Sequence, residues 1–428
     1  MNEIALRNRL SKVLTNPLYT NAIYLIANTM LTSLIGFFFW MIVARFYNQV
    51  EVGFSSAIIS VLNLLANLSL IGLNISIIRF LPHSEKPQDF INTCFTFGGF
   101  FSLIVTVIFL SGLNLWSPTL SFITHNAIFT SVFLALALVS TLSLLVDSVF
   151  LAKRRAEFAF FKNIIVSLLK LPLPIIFLIY FKTFGIISSW GIPLGIALAI
   201  SLFFFLPKIQ KHYKPVLVLD FTLLRNMWRY SSNNYMATLL HIAPTLLLPV
   251  IVINLLGPEQ NAFFYIAWMI ASLLFSIPAA ASRSLFIESS HFENKIRINM
   301  VKSLKFTFLI LIPMVALILF MGQWLLNFFG DSYPTNALLL LQILAVSSLP
   351  IGINNIYTSI LRVTNRIKEL LIIWGLMSVA ILITSYTTIA ANGIIAIGYA
   401  WLGFQGITSI YAIFRMKSHH SDRRIEQD

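Results

Sequence analysis

Long apolar runs separated by short polar turns dominate the chain. Twelve runs reach the roughly 20 residues that a helix needs to cross a bilayer. They cover 19–44, 53–78, 91–113, 127–151, 163–181, 185–206, 231–256, 262–284, 305–328, 336–361, 370–390 and 393–414. Stretches such as LALALVSTLSLLV are solidly apolar, unlike the alternating segments of about ten residues in a membrane barrel. The pattern predicts an all-α integral membrane protein. The longest inner connection, PKIQKHYKPVLVLDFTLLRNMWRY, separates six spans from six. It predicts lobes at 1–207 and 231–414, a linker at 208–230 and a tail at 415–428. Within the linker, FTLLRNMWRY is expected to lie on the membrane surface, with Leu223, Leu224, Met227 and Trp228 toward lipid and Arg225 and Arg229 toward water.

Composition agrees: 58% of residues are hydrophobic and 10% are charged, against about 25% charged in a soluble domain. No separate soluble catalytic domain fits. The net charge of +14 would suggest nucleic acid on a soluble protein, but its placement argues otherwise. With the N-terminus inside, all but three of the 29 basic residues fall on the inner side. The exceptions are Arg45, Lys182 and Lys170. This is a positive-inside pattern, aided by anionic lipid. It predicts a multi-pass protein of the cytoplasmic membrane, both termini cytoplasmic, with no nucleic-acid partner. The opening MNEIALRNRLSKVLTN reads as an inner basic segment and not as a cleavable signal, because the apolar run behind it is too long. Outer loops are short.

The halves match at an offset of 209: NQVEVGFSSA (Asn48 to Ala57) corresponds to GPEQNAFFYI (Gly257 to Ile266). Both copies start inside, so they are parallel, as in transporters whose substrate site lies between repeats. Polar residues in lipid are costly and usually face a bundle interior or a wet cavity. Ser56, Ser60, Asn63, Asn67 and Asn74 fall on one helical face, over about 27 Å if span two is one straight helix. Span one carries Asn21, Tyr24, Asn28 and Thr32, with Tyr230, Asn233, Ala237 and His241 as counterparts in span seven. Asparagine stripes also serve as glue between membrane helices.

His241 lies near Pro244 and Pro249, a pair able to break the helix. Arg283 is about five residues from the inner boundary and either snorkels or binds phosphate as a guanidinium fork. Lys170 and Asp147 are placed at similar depths. Either they pair, or Lys170 offers a second cation to an anionic substrate and Asp147 is an ion-coupling candidate. Cys94 is the only cysteine, so a disulfide or cysteine metal site is excluded. His419 and His420 read as tail. No phosphate-binding Gly-x-x-x-x-Gly-Lys-Ser/Thr loop, His-Glu-x-x-His or Gly-x-Ser-x-Gly occurs. No cofactor or metal is expected.

The run from Gly36 to Pro82, with Gly53, Gly72, Leu73 and Arg79 at its turn and helix-end positions, resembles the first helix pair of polysaccharide-biosynthesis, O-antigen-type flippases. These belong to the multidrug, oligosaccharidyl-lipid and polysaccharide exporter superfamily. Asp220 to Tyr235 and the turn LLGPEQ resemble the start of the family's second half. Asn48 and Ala262 replace turn glycines, and two C-terminal helices found in many members are missing. The resemblance implies two six-helix lobes around a central cavity lined by helices one, two, seven and eight. It also implies transport of a polyprenyl-pyrophosphate-linked oligosaccharide from the inner to the outer leaflet, without enzymatic activity. Asn28, Asn63, Asn67 and Asn74 are then expected to meet sugar hydroxyls, and Lys170, His241 and Arg283 phosphate. Partners would be the lipid-linked oligosaccharide, membrane lipids, and a glycan polymerase or glycosyltransferases. The rival readings are an ion-coupled multidrug exporter, which needs Asp147, and a membrane glycosyltransferase or polymerase.

Overall fold

The computed structural model describes residues 17–211, 213–291 and 296–425, so the opening basic segment lies outside the described residues. The described chain is helical, with no strand among the described residues. Its α-helices are α1 (Pro17–Phe46), α2 (Gln49–Ser69), α3 (Leu73–Phe80), α4 (Pro87–Ser111), the single turn α5 (Leu113–Trp116), α6 (Ala127–Ala152), α7 (Ala156–Lys170), α8 (Leu173–Ile200), α9 (Leu206–Ile209), α10 (Phe221–Leu256), α11 (Pro258–His291), α12 (Ile296–Asn327), α13 (Ser332–Val363), α14 (Ile367–Asn392) and α15 (Ile395–Ile425). Among the described residues, eleven stretches are long and apolar enough to cross a membrane. The twelfth expected span lies in α15, whose 31 residues include Gln405.

The chain forms two compact units. The first runs to Phe46 and resumes from Ile58 to Tyr235. The second takes Tyr47–Ala57 and everything from Met236 onward. The α1–α2 turn and the first two turns of α2 therefore belong to the second unit.

Helix faces follow membrane logic. On α4, Cys94, Gly98, Ser102 and Thr106 are buried, while Phe100, Val107 and Ile108 are exposed. Small residues let helices approach closely, and bulky apolar ones meet lipid. Gly98 shows the closeness: a Cβ there would stand 2.6 Å from Leu145 Cδ1. Thr141 Oγ1 donates to Ser102 Oγ at 2.9 Å, tying α6 to α4. Just past α6, Lys153 Nζ donates to Gln210 Oε1 at 2.9 Å. Partial burial holds that ammonium below its ordinary value.

Two local signals shape the starts and ends of helices. Asn48 and Glu51 form a reciprocal cap on α2: Glu51 N–H donates to Asn48 Oδ1 at 2.8 Å, and Asn48 N–H to Glu51 Oε2 at 3.2 Å. This satisfies donors that a helix start leaves free. The α6–α7 and α13–α14 turns close alike. Arg155 N–H bonds Phe150 O and Arg154 N–H bonds Leu151 O; Arg366 N–H bonds Leu361 O and Asn365 N–H bonds Arg362 O. Both are Schellman turns. Their left-handed positions, Arg154 and Asn365, have φ of 55° and 56°. The turns recur at an offset of 211, close to the 209 seen in the outer turns.

The sequence-derived surface helix is not a separate element. It forms the first turns of the 36-residue α10, since SSNN carries no helix breaker. Leu224 and Met227 are buried in protein and do not face lipid. Ser76 Oγ donates to Met227 O at 3.1 Å. The expected break at Pro244 and Pro249 is also absent: α10 runs through both, as membrane helices allow.

Candidate functional site

In the first unit, the expected polar stripe is shorter than one straight helix would make it. Helix α2 stops at Ser69, and α3 begins at Leu73. Ile71 and Gly72 between them have φ of 43° and 78°. A left-handed β-branched residue is a strained outlier. The break places Asn74 on a separate helix, so the stripe is not one continuous helical face. On α2 itself Ser60 is buried, and Asn63 and Asn67 are half-buried. Asn67 Nδ2 donates back to Asn63 O at 2.8 Å. Asn74 Oδ1 is buried without a hydrogen bond among the described residues. Tyr235 Oη donates to end carbonyls of α2, Asn67 O at 3.0 Å and Leu68 O at 2.8 Å. A side chain on Gly72 would strike Ser231 Oγ at 2.5 Å.

Asn28 meets an amide on α7: Asn163 Nδ2 donates to Asn28 Oδ1 at 3.1 Å. One residue earlier, Lys162 is 1% exposed. Its ammonium lies 2.7 Å from Asp147 Oδ2 and donates to Ser143 Oγ at 2.8 Å and Ser143 O at 3.1 Å. This corrects the expected depth match, in which Asp147 pairs with Lys170. The sequence reading starts span five at 163, whereas α7 starts at Ala156. Counted from the α6–α7 turn, Asp147 and Lys162 are each about 9 Å deep. Lys170, the last residue of α7, is half-buried with its Nζ 5.5 Å from the Phe39 ring centroid, a cation–π contact. Leu171 and Pro172 then break the helix.

In the second unit, the start of α2 packs on the start of α11. Asn261 is fully buried, and its Nδ2 donates to Gly53 O at 2.8 Å and Ser56 Oγ at 3.0 Å. A Cβ on Gly53 would stand 1.7 Å from Pro258 O. These residues come from the two outer turns matched at an offset of 209. Ser56, read from sequence as part of an open stripe, is thus buried at a helix crossing.

His241 on α10 is exposed, with its ring 3.9 Å from that of buried Trp374 on α14. Arg283 on α11 is exposed. Sequence reasoning missed its neighbour Arg362, counted there with an inner loop. Arg362 lies in the last turn of α13. Ser359, one helical turn before Arg362, has its hydroxyl 2.6 Å from that of Ser282, the residue before Arg283. The signal was present: Arg362 follows Ser359 by one helical turn. Glu369 is the nearby acid on α14, and it holds Tyr357 Oη at 2.5 Å, Tyr411 Oη at 3.1 Å, Arg366 at 3.1 Å and Arg415 at 3.5 Å. A groove of about 370 Å³, lined by Thr384, Thr388, Asn392, Tyr399 and Ile407 among others, contains no predicted site residue.

The family model described as polysaccharide biosynthesis protein matches residues 42–337. No curated protein matches in sequence. Three solved structures share the fold. The lipid II flippase MurJ in its inward closed conformation has a TM-score of 0.70 at 15% identity, covering 92% of this chain and 87% of that one. An inward-facing multidrug resistance MATE family transporter of the MOP superfamily has 0.69 at 15%, covering 93% and 98%. A MOP superfamily transporter from Pyrococcus furiosus, whose binding pocket is described as having reverse polarity, has 0.59 at 14%, covering 95% and 97%.

Proposed function

We propose that this chain, which belongs to the polysaccharide biosynthesis protein family, moves a polyprenyl-diphosphate-linked oligosaccharide from the inner to the outer leaflet of the cytoplasmic membrane. The observation that carries the reading is the chemistry of the side chains at membrane depth. Amides at Asn28, Asn63, Asn67 and Asn74 suit sugar hydroxyls. Lys170 and Arg283 suit phosphate, and neither pairs with a carboxylate among the described residues. His241, its ring tilted against that of Trp374, offers a nitrogen. Partners of such a protein are its lipid-linked substrate, membrane lipids, and a polymerase or glycosyltransferases acting on the same glycan.

The rival reading, an ion-coupled multidrug exporter, needs an available acid inside a span, and Asp147 is its candidate. Asp147 is neutralised by a fully engaged Lys162, which favours the anionic substrate. A glycosyltransferase or polymerase would consume or join sugar donors, so incubating purified protein with sugar nucleotides separates that class.

The test is glycan export in cells lacking the native gene, complemented with Arg283→Ala and Lys170→Ala. The reading expects lipid-linked oligosaccharide to accumulate inside and surface glycan to fall. Unchanged export by both variants removes the phosphate role.

A further inference from the structure

We propose that the Lys162 ammonium is a tethered cation: it fills an oxygen-lined pocket, built by Ser143 and Asp147, that would otherwise hold a free monovalent cation of potassium size. The inference concerns this pocket alone and stands whatever substrate is carried.

The pocket is built on one face of α6, where Ser143 and Asp147 are one helical turn apart. Lys162 Nζ lies 2.7 Å from Asp147 Oδ2, 2.8 Å from Ser143 Oγ and 3.1 Å from Ser143 O. Three N–H donors thus meet three oxygens, which exhausts what an ammonium can give. Ser143 is turned to this use. Ser140, Thr141 and Ser148 on the same helix each donate to the carbonyl four residues earlier, whereas the Ser143 hydroxyl accepts from Lys162. One further oxygen is left over: Asp147 Oδ1 is buried without a hydrogen bond among the described residues. A carboxylate, a hydroxyl and a main-chain carbonyl converging on one point form the kind of oxygen ligand set that hard cations take. A spherical ion accepts oxygens from any direction, both carboxylate oxygens included. It uses the one that directed N–H bonds leave idle.

Energetics explain why the cation is carried on a side chain. A bare carboxylate about 9 Å deep is costly, so ionised Asp147 needs a positive charge beside it. A free ion supplies that charge only while bound. Its release on a conformational change would couple that change to an ion gradient. The Lys162 ammonium is instead fixed covalently to α7. At the next position Asn163 Nδ2 donates to Asn28 Oδ1 at 3.1 Å, which holds α7 to α1. The ammonium cannot be exchanged, so this pocket draws nothing from a sodium or potassium gradient. The Lys162 stem is 1% exposed and fills the space. The Asp147 side chain keeps 25% exposure, so shortening the stem leaves the pocket open to an ion.

The test uses the full-length protein in nanodiscs of uncharged lipid. Lys162→Ala removes the ammonium and keeps the oxygens of Ser143 and Asp147. Radioactive rubidium is the potassium probe at equilibrium. Unfolding temperatures are read in potassium, ethylammonium and choline chloride at equal concentration. Lys162→Ala is expected to bind rubidium above the wild-type level. With potassium or ethylammonium at tenfold its Kd, the variant is expected to unfold roughly 2–4 °C higher than in choline, over and above any wild-type response. Lys162→Met, which refills the space with an apolar stem, is expected to show neither gain, and so is Lys162→Ala combined with Asp147→Asn. Rubidium binding by Lys162→Ala no greater than wild type overturns the proposal. So does a thermal gain shared with choline, or one that survives Asp147→Asn. Lys162→Ala that fails to fold in every salt overturns it too, because no free cation then replaces the tethered one.

Discussion

Arg154 and Asn365 occupy the same left-handed position, φ 55° and 56°, in two turns with the same hydrogen-bond pattern. The two turns close the α6–α7 and α13–α14 hairpins, 211 residues apart. A repeated strained turn is a stronger mark of internal duplication than loosely matched apolar residues. It also yields a prediction. Left-handed backbone costs an ordinary side chain about 1–2 kcal/mol, and asparagine tolerates it better. Arg154→Gly is expected to stabilise the protein by about 1 kcal/mol and Asn365→Gly by less. Thermal unfolding in detergent checks the order, and a destabilised Arg154→Gly would contradict it.

Asp147 and Lys162 should behave as one unit. Removing one partner leaves a buried charge uncompensated, so Asp147→Asn alone is expected to cost about 3–5 kcal/mol. The double variant Asp147→Leu with Lys162→Met is expected to recover most of that loss, since replacing a whole buried pair is often neutral. Export measured in the folded double variant separates the two roles. Retained export makes the pair structural; lost export with intact folding makes Asp147 a coupling residue.

Gly53→Ala tests the crossing of α2 and α11. The added Cβ would enter the Pro258 carbonyl, which is backbone and cannot swing away. A loss of about 2–3 kcal/mol is expected, seen as a lower unfolding temperature. Gly195→Ala is the control, because nothing lies within 4 Å of a Cβ there. Equal stability of the two variants would show that the crossing is looser than 1.7 Å implies.

Much of the architecture was legible because membrane spans announce themselves by length and apolarity. The breaks were harder to see. Ile71 is apolar and β-branched, so nothing in the run LSLIGLNIS interrupts the hydropathy where α2 ends. The stripe argument then treated Asn74 as part of one straight helix, which the break interrupts. The inner turns lack glycine, which hid both Schellman motifs and shifted the start of span five. That shift alone moved Lys162 into a loop and left Lys170 as the apparent partner of Asp147. Arg362 was hidden differently: a basic residue at a helix end looks like a topology signal until the Ser282–Ser359 contact ties its helix to the one that carries Arg283. The proline pair in α10 misled in the other direction, because membrane helices accommodate proline more readily than soluble ones do.

Transport itself is tested most directly in vesicles. Proteoliposomes are loaded in both leaflets with a polyprenyl-diphosphate oligosaccharide and exposed to a membrane-impermeant glycosidase. With wild-type protein, the inner-leaflet pool is expected to become accessible over time, and with Arg283→Ala far more slowly. Cleavage that stops at the outer-leaflet pool, as in protein-free vesicles, would contradict the account.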